Sequence, residues 1–169
     1  TAAETNMTVF AYGAPRVIEN PIFLNGARNV VVDGTNDLTF TGPIAAGGIG
    51  KLWTVRGTGR GILAGQSSTS GGDGAPLTKA GGGTLVLSAD NTYTGATTVQ
   101  QGTLLANNTA GSATGSGAVY VRSSGTLGGT GTVAGGVTAT GGSIAPGNSG
   151  AGTLTAGGGL NLSSTGTYV

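Results

Sequence analysis

The chain has 169 residues, 37 of them glycine, with 37% hydrophobic residues, 8% charged residues and a net charge of +1. That charge balance excludes a nucleic-acid surface, which needs clustered Lys and Arg to neutralise phosphates. Cysteine and histidine are absent, which excludes a disulfide framework, thiolate and imidazole metal sites, and Ser-His-Asp catalysis.

Glycine at this level reads as disorder only where apolar residues are scarce and net charge is high. Here Val, Leu and Ile recur between the glycines, so a folded chain is expected. No apolar run approaches the ~20 residues of a membrane span, and there is no collagen-like Gly-X-Y period.

In chain order, residues 1–20 come first and hold Phe10, Tyr12, Pro15, Arg16 and Glu19. Terminal repeats of stacked folds are atypical, so this segment is expected to cap the first coil or to be donated as a strand. Residues 21–169 are expected to form a repeat-built β domain. Its strand runs are Asn29-Val30-Val31-Val32, Leu38-Thr39-Phe40-Thr41, Leu52-Trp53-Thr54-Val55 and Thr84-Leu85-Val86-Leu87, then Val119-Tyr120-Val121, Val137-Thr138-Ala139-Thr140 and Leu160-Asn161-Leu162. Each is rich in β-branched or aromatic residues and bounded by Gly, Asn, Asp or Ser. Residues 65–76 read as a polar Gly/Ser loop that protrudes. From Asn91 to Val169 the sole charged residue is Arg122.

A signature recurs along this domain: Gly83-Thr84-Leu85, Gly102-Thr103-Leu104, Gly125-Thr126-Leu127 and Gly152-Thr153-Leu154. Recurrence at roughly 20–30 residues marks a stacked repeat. About three short strands with glycine corners make one coil, since glycine reaches backbone conformations closed to residues with a Cβ. Coils then stack as parallel strands, with Val, Leu and Ile in inward columns and Thr, Ser and Asn outward or at corners. The fold class is therefore all-β, a parallel β-helix. Parity puts Leu85 and Leu87 on one side of their strand and Val86 on the other.

Residues 77–88, 91–99 and 102–104 resemble the passenger-associated transport repeat of bacterial autotransporters. Gly125-Thr126-Leu127, the run on to Val133, and Ile144 to Ser149 are similar to the stretch downstream of that repeat in many family members, and Leu38 to Ile44 is similar to a degenerate upstream copy. The resemblance implies a right-handed parallel β-helix outside a bacterium, extracellular or on the cell surface. It implies no single activity, because one fold carries many functions. The alternating strands of an autotransporter's membrane barrel are not among these residues.

The candidate sites are few. Asp33 and Asp37 flank Gly34-Thr35-Asn36; a Ca²⁺ ion takes six to eight oxygens, and two aspartates here read as turn residues. Lys51 and Lys79 sit in no Ser-x-x-Lys motif. Lys51, Trp53, Arg56 and Arg60 form a basic cluster with an aromatic, suited to a host or matrix glycan. Strand parity points Trp53 and Arg56 apart, which favours a buried or end-capping Trp53. Thr-x-Thr pairs such as Thr138/Thr140 suit strands and are too uneven for an ice-binding array. An open coil end presents unpaired N–H and C=O groups, so Met7, Val9, Phe10, Tyr12, Leu160, Leu162 and Tyr168 are expected to carry self-assembly into oligomers or filaments. No catalytic group, metal or cofactor is expected. The function read from the sequence is a non-enzymatic structural surface element, with a glycan-binding adhesin as the alternative.

Overall fold

A run of three to five alternating residues buries one side only, and its backbone needs a partner strand above and below. In the computed structural model, which describes residues 7–25, 30–47, 53–55, 57–63, 67–70, 74 and 76–169, coiling supplies both. The first face stacks β1 (Met7–Ala11), β4 (Val30–Gly34), β7 (Trp53–Val55), β10 (Leu77–Lys79), the first halves of β12 (Thr97–Ala106) and β13 (Val119–Gly129), β15 (Val137–Thr140) and β18 (Leu160–Leu162). The second face stacks β2 (Arg16–Ile18), β5 (Leu38–Phe40), β8 (Arg60–Leu63), β11 (Thr84–Leu87), the second halves of β12 and β13, β16 (Ser143–Pro146) and β19 (Thr167–Tyr168). The third holds β3 (Ile22–Asn25), β6 (Ile44–Gly47) and β9 (Ser67–Ser70), and later β14 (Thr132–Val133) paired with β17 (Thr155–Ala156). Every pairing between these strands is parallel, and no helix occurs among the described residues. The all-β parallel solenoid read from the sequence is the observed fold.

The core is a set of columns. On the first face Leu77, Thr97, Val119 and Val137 lie in register and are buried. On the second, Leu85, Leu104, Leu127 and Ile144 do the same. Thr97 is tolerated in an apolar column because the Tyr93 hydroxyl pairs with its Oγ1 at 2.8 Å, so no buried polar atom there goes unsatisfied. Leu85 and Leu87 belong to this core, as parity allows. Val86, on the opposite side of β11, is covered too but stands outside the core cluster.

Three of the four glycine-threonine-leucine signatures stack. Thr84, Thr103 and Thr126 are register partners, and so are Leu85, Leu104 and Leu127. The fourth does not belong: the next partners are Ser143 and Ile144, and Gly152-Thr153-Leu154 lies past the corner, ahead of β17. The glycine of the signature marks the corner between the first and second faces. Gly102 has φ +74°, and a Cβ on it would collide with the carbonyl oxygens of Gly81 and Gly83 in the coil beside it.

Two segments read by composition take part in the coils. Within 1–20, β1 and β2 are register partners of β4 and β5. Within 65–76, the expected loop, Ser67–Ser70 forms β9 against β6. Serine and threonine fit a strand whose ladder is completed by a neighbour, whatever their polarity.

Candidate functional site

Each carboxylate for which a contact is resolved serves the backbone. Asp33 Oδ1 accepts from the Gly34 N–H at 2.8 Å, Asp37 Oδ1 from the Arg60 N–H at 3.3 Å, and Asp90 Oδ1 from the Ser112 N–H at 2.9 Å. These are turn and inter-coil bonds, the role expected of Asp at corners. Among the described residues no three of His, Cys, Asp and Glu gather into a metal-binding group.

Lys51 and Arg56 of the basic cluster lie outside the described residues. Trp53 holds the register position between Val30 and Leu77 on the first face. Arg60 is on the second face, exposed, beside Thr84. Of the self-assembly set, Met7, Val9 and Phe10 lie in β1, whose backbone pairs with β4. Tyr12, Leu160, Leu162 and Tyr168 are exposed.

Sequence reasoning missed a buried amine. Lys79 shares the strand side of Leu77 and sits in the inward column between Val55 and Val99. Its Nζ donates to the Gly81 carbonyl and, at 3.3 Å, to the Gln101 carbonyl one coil on. The amine therefore ties the glycine corners of two coils together. Burial lowers its pKa to about 8, because a low-dielectric site disfavours the charged form. The shared parity of Leu77 and Lys79 is the signal that could have found it.

Also missed was the side-chain lattice of the third face. From 88–96 and 107–118 this side carries no strand. Instead Asn91 Nδ2 donates to the Ala113 carbonyl at 2.6 Å, Asn108 Oδ1 accepts from Thr132 N–H at 2.9 Å, and Ser112 Oγ accepts from Ala134 N–H at 3.1 Å. These bonds span 22 to 24 residues, one coil. They tie each coil to the next, and none of them places a nucleophile beside a base.

Residues 77–106, covering β10, β11 and β12, match the family model of the passenger-associated-transport-repeat. No curated protein and no solved structure matches the chain. No helix among the described residues is long and apolar enough to cross a membrane, which does not bear on β-barrels. Residues 77–106 are thus similar to a passenger-associated-transport-repeat, and the register columns and corner glycines set them in a parallel β-solenoid.

Proposed function

We propose that this chain is a non-enzymatic structural element of an extracellular passenger, and that its coil ends bind a second copy end to end. The observation that carries the reading is the stack of parallel ladders, in which the backbone of each coil is completed by the coil beside it. Leu160 is 43% exposed and Tyr168 61% exposed, although their register partners upstream, Val137 and Ile144, are 2% and 3% exposed. A coil edge left open accepts another parallel strand. Because β1 is already paired with β4, edge-to-edge stacking is favoured over donation of β1. A contact between unlike ends does not close on itself and propagates into a filament.

The test is light scattering and electron microscopy of the chain and of a Leu160→Lys/Leu162→Lys variant. Charges on a strand edge block pairing, so filaments should form with the first and vanish with the second, the β-type circular dichroism being kept. A chain that stays strictly monomeric at high concentration overturns the assembly claim. Turnover on polysaccharides would overturn the non-enzymatic one.

A further inference from the structure

Tyr120 breaks a column. On the outer side of the first face, register aligns Thr54, Thr78, Thr98, Tyr120, Thr138 and Asn161. Threonine satisfies this position on both sides of Tyr120, so the fold does not require an aromatic there. Tyr120 is 39% exposed. The Arg122 guanidinium carbon lies 5.8 Å from its ring centroid, a cation–π distance that steadies the ring. A cleft of about 310 Å³ opens beside it, lined by Tyr120, Thr138, Asn161 and the corner glycines Gly136, Gly158 and Gly159. Arg122 is not part of that lining, so the cleft lies away from the guanidinium. Among the described residues the Tyr120 hydroxyl, the Thr138 hydroxyl and the Asn161 side-chain amide make no hydrogen bond.

We propose that this cleft binds one pyranose unit of a neutral polysaccharide. An aromatic face is electron-rich and attracts the weakly positive C–H groups on the flat side of a sugar ring. The two hydroxyls and the amide supply donors and acceptors for the ring's hydroxyl rim. The glycine corners let that rim approach the backbone, where side chains would block it. No charged residue lines the cleft, so it offers nothing to offset a carboxylate or sulfate. The volume is at the low end of the range for small-ligand sites, ~300–1,000 Å³, which fits a single ring. Leu160 also lines the cleft, so Tyr120→Thr, which lies outside the residues assigned to stacking, is the variant that separates ligand binding from end-to-end assembly.

The test is a titration of the ¹⁵N-labelled full chain with maltohexaose, cellohexaose and xylohexaose, and with oligogalacturonate as the acidic probe. At least one neutral oligomer should shift amides of 118–122, 136–138 and 158–161 and leave the second face unmoved. Tyr120→Thr installs the residue that the adjacent coils already carry, so the fold is kept. It should weaken binding by about tenfold or more, equivalent to ~1.4 kcal/mol. No shift with any neutral oligomer at millimolar concentration overturns the proposal, as do shifts that persist unchanged in Tyr120→Thr. Preferential binding of oligogalacturonate that Arg122→Gln abolishes would overturn the neutral ligand class.

Discussion

The first two faces and the third face of the coils between Leu77 and Thr140 hold the same stack together by different means. On the first two, parallel ladders run strand to strand, and buried columns such as Leu85, Leu104 and Leu127 fill the space beneath. The third face has single backbone bonds, such as Asn91 N–H to Ser112 carbonyl at 2.8 Å. The rest of its cohesion comes from Asn91, Asn108, Ser112 and Asp90, which bond to the backbone of the coil beside them. The difference shows two solutions to one problem. A buried backbone must have its polar groups paired, and where the chain turns too sharply to be a strand, short amide and hydroxyl side chains take over. With both kinds of bond in place, outward positions such as Tyr120 are the ones left exposed.

The largest effect should come from breaking the ladder side. Leu127→Asp places an unpaired carboxylate at the centre of a buried column, and such substitutions cost about 4 kcal/mol or more. Urea unfolding should show a collapse of the midpoint or no folded protein at all. On the third face, Asn108→Ala removes the acceptor for Thr132 N–H and the donor to the Ala110 carbonyl. One buried donor left unpaired costs about 1–3 kcal/mol, so the same measurement should show a smaller, clear loss. If Asn108→Ala were silent while Leu127→Asp unfolded the chain, the third face would be a passive loop.

The corner between the ladders is probed by pH. Burial lowers the folded pKa of Lys79 to about 8, against an ordinary value of 10.5. Between those values the unfolded chain binds a proton that the folded one does not, so stability should rise with pH across that window. Burial also raises the pKa of the Tyr93 phenol from its ordinary 10.0. The folded chain then holds a proton that the unfolded one loses, so stability should fall as pH climbs past 10. Urea midpoints measured across this range should pass through a maximum. Lys79→Met should abolish the rising limb and keep the falling one; a rising limb that survives contradicts the interior placement of the amine.

Much of the fold is legible in the sequence. The strands at Leu38, Thr84, Val119, Val137 and Leu160 sit where alternation and bounding glycines put them, because a half-buried strand leaves a period of two. Three signatures stack because Leu must face inward at that corner. The fourth fails because a chain rich in Gly and Thr repeats such triplets by composition, and Ser143 and Ile144 fill the same positions with different letters. The third face is illegible for a related reason: Asn91, Asn108 and Ser112 act singly, at spacings set by the coil length and not by any local period. Tyr120 reads in the sequence only as part of an apolar strand. Its neighbours Val119 and Val121 share the inward side, and that already requires Tyr120 to point out. The candidate cluster at Lys51, Trp53, Arg56 and Arg60 rests on proximity in sequence, and a coil divides such neighbours among faces, as it does Trp53 and Arg60.

The central claim is the register that stacks these coils, and the absence of cysteine makes it directly testable by disulfide trapping. Thr126 has Ser143 as its register partner, whereas the repeated signature would pair it with Thr153. Adjacent parallel strands bring such Cα atoms to ~4.8 Å, within the ~4.4–6.8 Å a disulfide spans. Mild oxidation of Thr126→Cys/Ser143→Cys should close an intramolecular bond quickly and in high yield, and Thr126→Cys/Thr153→Cys should not. Efficient closure of the second pair with failure of the first would contradict the register on which the stack, its outward columns and the Tyr120 cleft all depend.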